Sequence, residues 1–265
     1  MNRSPLRRTL VDALREGGKH LRRGLGHARI SYKAGRANVV TQVDLASERA
    51  VVGVIRRRFP THDFFAEEKA RTSTGSDFVW VIDPLDGTLN FSHSMPVCCV
   101  SVAAVERGRA VVGGVYDPFR EELFLAEAGH GATLNGRPIS VSRARRLGDS
   151  LLVTGFPYDR DKRAGLYSGI VRDFLERGQD LRRSGSAALD LAWTAAGRYD
   201  GFWEFCLAPW DVAAGRLLVT EAGGRVTDFS GKPWGTVDTW GRQTLASNGR
   251  IHPAMLTVLR KVAGR

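Results

Sequence analysis

Apolar positions along the chain follow two rhythms. In residues 6–25, Leu6, Leu10, Leu14, Leu21 and Leu25 recur near helical spacing, which predicts an amphipathic helix. Residues 42–59 repeat the pattern with Leu45, Val51, Val52, Ile55 and Phe59. Thr41, followed three residues on by Asp44, reads as a capping box with Asp in place of the usual Glu or Gln. Apolar runs at 78–82, 97–105, 109–116 and 122–127 then predict strands, and Asn135-Gly136 predicts a tight turn between short extended pieces. Further on, 150–156 reads as a strand, 162–177 as a helix, 185–197 as a small-residue helix and 199–205 as a strand. A helix within 208–224 has Pro209 near its first position and Gly223-Gly224 at its end. Strands near 225–229 and 243–247 and a last helix from 251 complete the order.

Strand-rich first and alternating second halves predict a layered α/β or α+β architecture. The expectation is one domain, 1–265, of two packed halves with a soft boundary near 143–149, "RARRLGD". A chain of 265 residues is long enough to bury a sizeable core. No apolar run approaches the ~20 residues that span a bilayer. The basic N-terminus lacks a continuous apolar segment of the kind a signal peptide carries. Three cysteines, two of them adjacent (Cys98, Cys99 and Cys206), give no disulfide framework, so a reducing cytoplasm is the expected location.

Charge adds little by itself. The formal net charge is +11, with 33 arginines against 6 lysines. An anionic partner, either a phosphorylated substrate or a nucleic acid, is one reading. The arginine-for-lysine skew of a GC-rich genome is the other. No RNA-recognition motif is present, and no histidine pair has metal-site spacing.

The chemistry lies in the carboxylates. "DFFAEEKA" carries Glu67 and Glu68, "WVIDPLDGTLNF" carries Asp83 and Asp86, and "LAPWDVAAG" carries Asp211. Each has a plain structural reading: Asp86 as a cap, Asp211 as an early-turn acid on a helix dipole, Glu67 as a surface charge, Asp44 as the capping partner of Thr41. Together they form an oxygen donor set suited to a hard cation such as Mg²⁺, and cations would make two acids in one turn tolerable. Gly87, after Asp86, permits close backbone approach, and amides at a helix start bind anions. Metal carboxylates beside a phosphate cradle point to hydrolysis of a phosphate ester.

The stretches "FFAEE", "WVIDPLDGTLNF", "RRSGSAALDLAWTAAGRYDGFWE" and "LAPWDVAAGRLLVTEAGG" occur in the order seen in the inositol monophosphatase family, which the chain resembles from about Val39 to Gly224. The resemblance implies a layered αβαβα sandwich, commonly a homodimer, and a lithium-sensitive phosphatase using two to three Mg²⁺ ions. It implies that Glu67, Asp83 and the Leu85 carbonyl hold one ion and that Asp83, Asp86 and Asp211 hold a second. A third, weaker ion would lean on Glu67. Gly87 and Thr88 amides would hold phosphate, while Thr88 with Asp44 would orient the attacking water. Glu204 and the turn Gly185-Ser186-Ala187 would meet substrate hydroxyls, near Asp86 and Asp211. Glu68 would be peripheral. Leu89 replaces a second Thr of the family pattern, and Asn38 stands where members often carry Asp.

The expected reaction is direct attack of water on a small polyol monophosphate, most simply inositol 1-phosphate, without a phosphoenzyme. The Asp-x-x-Asp spacing argues against an aspartyl-phosphate phosphatase, which needs Asp-x-Asp. Histidinol phosphate, fructose 1,6-bisphosphate and adenosine 3′,5′-bisphosphate are alternative substrates on the same fold. A separate role in binding RNA or the transcription machinery is the alternative of a different class.

Overall fold

The structure, a computed structural model, describes residues 4–34 and 38–260, with the side chains of 32–34 and 38 outside the description. The reading of the Asn38 side chain lies outside the described residues. Helix α1 (Ser4–Gly24) leads into a hairpin of β1 (Ile30–Ala34) and β2 (Asn38–Thr41), then α2 (Gln42–Arg58). Next come β3 (Asp63–Ala66), β4 (Phe78–Asp86), the one-turn α3 (Thr88–Ser92), β5 (Cys99–Glu106), β6 (Arg109–Asp117), β7 (Glu122–Glu127), β8 (Ala132–Leu134) and β9 (Arg137–Ile139). The second half runs β10 (Leu151–Thr154), α4 (Ala164–Leu175), β11 (Asp180–Arg182), α5 (Ala187–Ala195), β12 (Gly201–Phe205), α6 (Pro209–Glu221), β13 (Arg225–Thr227), β14 (Gln243–Ser247) and α7 (His252–Leu259).

Two main sheets result. β3 to β9 form a seven-stranded sheet in chain order, antiparallel except for the parallel pair β3–β4. The second sheet has the order β11-β10-β12-β14-β13, parallel at β10 and antiparallel around β14. Three apolar clusters define the layers. Leu10, Leu14 and Leu21 of α1 and Val51 and Ile55 of α2 pack on one face of the large sheet, with Trp80, Val100 and Val102. The small-residue helices α5 and α6 lie between the sheets, joining Val81 and Val115 on one side to Phe202 and Ala246 on the other. Ile170 and Phe174 of α4 and Met255 and Leu259 of α7 cover the outer face of the second sheet. The order is α, β, α, β, α, as expected. The β5 strand is a near-continuous apolar run because both its faces are covered.

Differences from the sequence reading are local. β4 continues through Pro84 to Asp86, beyond the run that ends at Ile82. The β1–β2 hairpin, β3 and the three-residue β11 carry too few alternating apolar positions to stand out. The last strand of the large sheet ends at Ile139 and the first of the second sheet begins at Leu151. No helix among the described residues is long and apolar enough to cross a membrane.

Candidate active site

The site begins with a break in strand pairing. Asp83 lies opposite Ser101, and Asp86 lies opposite Cys99, so β4 advances three residues while β5 advances two. In a regular strand, residues three apart face opposite sides of the sheet. The extra residue of this bulge restores a common side. Pro84, which has no amide to give a ladder, sits where a bulge tolerates it. Carboxylate oxygens of Asp83, Asp86 and Asp211 lie within 4.8 Å of one another.

Gly87 follows at φ 91°, and caps α3. A Cβ there would lie 2.7 Å from the Val97 carbonyl oxygen, so glycine is required by both conformation and space. Asp83 Oδ1 accepts from the Leu85 amide (3.0 Å), and the Leu85 carbonyl accepts from the Thr88 hydroxyl (2.9 Å).

Asp44 resolves its two readings by using both oxygens. Oδ2 accepts from the Thr41 amide (2.8 Å) and hydroxyl (2.6 Å), closing the capping box of α2. Oδ1 accepts from the Thr88 hydroxyl at 3.0 Å. Asp44 is fully buried, and burial raises its pKa against the hydrogen bonds from Thr41. Asp211 behaves alike at α6, where Oδ2 accepts from the Ala208 amide (2.7 Å) with Pro209 in the first turn. Asp86 is held from the far half: Oδ2 accepts from the Ser186 hydroxyl (2.6 Å) and the Ala188 amide (2.7 Å) at the start of α5. Ser186 thus donates to Asp86 while its turn also borders the cleft.

Burial is the main cause of the electrostatic character of the cluster. It drives the Asp83 carboxyl well above its ordinary pKa, with Glu67, Asp86 and Asp211 adding repulsion. Asp211 is likewise pushed well up, by burial and then by Asp86 and Glu67. Asp86 is raised by burial, against the bonds from Ser186 and Ala188. Such a set cannot all ionise together without a neutralising charge. An all-oxygen, mutually repelling donor set fits a hard divalent cation.

A cleft of about 130 Å³ opens over these residues. Glu67, Asp83, Leu85, Asp86, Gly87, Thr88, Gly185, Ser186, Ala187, Glu204 and Asp211 all line it. Asp44 lies behind it and reaches it through Thr88. Glu68 does not line it. On the wall, Glu204 of β12 is 9% exposed, and its pKa is raised to about 8 by burial and Asp190, against Arg183. Sequence reasoning gave no individual role to Tyr158, Arg160, Arg183 or Asp190, which line the same cleft. Tyr158 is 63% exposed overall, and its pKa is raised by desolvation of the hydroxyl first and then by the negative charges of Glu67 and Asp211. Its segment, "TGFPYDRDKRAG", is one that the resemblance puts on the substrate side without assigning it to a particular sugar.

The family model of the inositol monophosphatase family matches residues 2–263. The chain is 47% identical over 227 residues to the Nus factor SuhB of Escherichia coli K12, covering 85% of this chain and 84% of the relative. It is 45% identical over 231 residues to an inositol-1-monophosphatase of Synechocystis, covering 87% and 79%. Among solved structures, the inositol monophosphatase of Anabaena superimposes with a TM-score of 0.87 at 41% identity, covering 99% of this chain and 98% of that one. The extragenic suppressor protein suhB of Bartonella henselae gives 0.90 at 38% identity, covering 98% and 100%. With the layered fold, the bulged acidic turn and these likenesses in agreement, the chain belongs to the inositol monophosphatase family and is a phosphatase of that fold.

Proposed function

We propose that the protein hydrolyses a small polyol monophosphate, with inositol 1-phosphate the leading candidate, in the presence of Mg²⁺. The observation that carries this reading is the convergence of Asp83, Asp86 and Asp211 under a cleft whose wall holds Glu204. Glu67, Asp83 and the Leu85 carbonyl are the proposed ligands of one ion, and Asp83, Asp86 and Asp211 of a second. A third, weaker ion near Glu67 belongs to the same reading. When bound, such ions supply Lewis acidity toward phosphoryl oxygens and make a nearby water more acidic.

The chain's own groups do the rest. The Thr88 hydroxyl has one proton and two acceptors in reach, Asp44 Oδ1 and the Leu85 carbonyl. Its lone pairs are thereby directed outward to accept from an attacking water, which aligns that water. The Gly87 and Thr88 amides orient the phosphate. A largely protonated Glu204 both donates to and accepts from substrate hydroxyls, and the backbone of 185–187 borders them. The names of several relatives as Nus factors support a second role in association with the transcription machinery. A homodimer and a cytoplasmic location complete the proposal.

The test is a panel of inositol 1-phosphate, histidinol phosphate, fructose 1,6-bisphosphate and adenosine 3′,5′-bisphosphate, assayed for phosphate release with and without Mg²⁺. Fastest release from inositol 1-phosphate is expected. Much faster turnover of histidinol phosphate would overturn the inositol assignment. A salt-dependent shift of RNA with all four substrates inert would favour the second role.

A further inference from the structure

One face of α2 touches three separate parts of the acidic site. Asp44, Ser47 and Glu48 stand at positions i, i+3 and i+4, so their side chains share that face. Their exposures are 0%, 0% and 4%. Asp44 holds Thr88, as described. Ser47 donates through Oγ to the Pro84 carbonyl at 2.8 Å. Glu48 gathers three consecutive amides: Oε2 accepts from Glu68 at 2.8 Å, and Oε1 accepts from Lys69 and Ala70, both at 2.9 Å.

We propose that Ser47 and Glu48 are positioning residues: Glu48 fixes the turn that carries Glu67, and Ser47 fixes the bulge between Asp83 and Asp86. The inference rests on the metal-dependent phosphatase reading above.

The physical need is clear from the site itself. Buried acids that repel one another push their backbones apart, so the turns carrying them need tethers from a rigid element. Neither turn is regular. Residues 67–70 leave β3 in a tight loop with three amides pointing inward, and a carboxylate is the acceptor that satisfies them all. At the bulge, the carbonyl of Pro84 has no regular ladder position, and the Ser47 hydroxyl takes it. With that carbonyl fixed, the next one, Leu85, is turned toward Thr88. Because α2 is clamped at its start by Thr41 and Asp44 and packed through Val51 and Ile55, it offers all three tethers from one rigid body. Groups that hold metal ligands in place typically control metal affinity by ten- to a hundredfold.

The deciding measurement is calorimetric titration of the full chain with MgCl₂, with melting temperature recorded on the same metal-free samples. The variants are Ser47→Ala, Glu48→Gln and, as a stability control, Val51→Ala. Val51 is fully buried one turn along α2 and belongs to the core cluster. Expected results are weaker Mg²⁺ binding in Ser47→Ala and Glu48→Gln by roughly tenfold or more, and faster hydrogen exchange at the amides of 68–70 in Glu48→Gln. Val51→Ala should melt earlier with Mg²⁺ affinity intact. Unchanged affinity in both site variants overturns the inference, as does an equal loss in Val51→Ala. If Glu48→Gln does not fold, Ser47→Ala decides alone. A wild type that takes up no Mg²⁺ overturns the metal-dependent reading and this inference with it, whereas normal wild-type binding with indifferent variants overturns the inference only.

Discussion

Gly155 offers a sharp test of how substrate is recognised. It follows β10 directly, and the end of β10 pairs with β12 at Thr154 and Trp203, which sets Gly155 beside Glu204. A Cβ at Gly155 would lie 2.2 Å from the carboxyl carbon and from both oxygens of Glu204. Ordinary contact starts at 3.4 Å, so Gly155→Ala moves that carboxyl by roughly 1.2 Å. The moving group is the end of a flexible side chain, so the fold accommodates it at an overpacking cost of about 1–3 kcal/mol. For a chain of this size that lowers the melting temperature by about 2–4 °C per kcal/mol. A misplacement of about 1 Å in a recognition group costs on the order of a hundredfold. The assay compares kcat/KM for inositol 1-phosphate with that for 4-nitrophenyl phosphate, which has no ring hydroxyls to bind. The expected outcome is a loss of about a hundredfold for the first and no more than about threefold for the second. Equal losses on both would show that Gly155 acts through the acidic cluster or the fold. Full activity on both would refute a role for Glu204 in recognition.

Asp44→Asn should keep an acceptor for the Thr41 cap and present a donor to Thr88, so kcat should fall on the order of a hundredfold with little change in melting temperature; unchanged kcat in a destabilised variant would leave Asp44 only a cap. Thr88→Ala should lose kcat similarly, and the double variant should be clearly less than additive, because the two share one hydrogen bond. Asp83→Asn should abolish Mg²⁺-dependent turnover while Glu68→Gln retains most of it, since only Asp83 lines the cleft; equal losses would refute the ligand assignment. Glu204 titrates near 8 in the folded protein against an ordinary 4.5, so the folded state holds its proton more tightly. Its contribution to stability is full below about pH 4.5 and is lost as pH rises to about 8. In metal-free protein, Glu204→Gln should therefore gain melting temperature relative to wild type as pH rises from 5 to 9, and a constant difference across that range would refute the raised pKa.

Much of this is legible along the chain, for identifiable reasons. The leucine face of α1 carries its period openly because it packs on one face of the large sheet, and β5 shows as a continuous apolar run because both its faces are covered. The acidic motifs name Asp44, Glu67, Asp83, Asp86 and Asp211 because the residue types themselves are the chemistry. What stays hidden depends on partners distant in sequence. The bulge in β4 exists only relative to β5, so Pro84 reads as the end of a strand when it is the middle of one. The Ser186 hydroxyl, in a turn that borders the cleft, is donated to a residue 100 positions away, a pairing that no local pattern announces. Tyr158 comes from a segment that the resemblance puts on the substrate side, whereas Arg183 reaches the cleft from a stretch with no periodicity to mark it.

The double duty of Asp44 and Asp211 bears on how this family can diverge. In each, one oxygen holds the start of its own helix, through Thr41 in α2 and Ala208 in α6. Natural selection for a foldable chain therefore preserves both aspartates even where selection for turnover has ceased. A descendant that drifted toward a purely scaffolding life would keep them and still look like an enzyme at those two columns of an alignment. Glu67, in the turn after β3, stands at the start of no helix. Loss of the acids that line the cleft beside an intact Asp44 and Asp211 would mark a retired active site, and this chain keeps Glu67, Asp83 and Asp86.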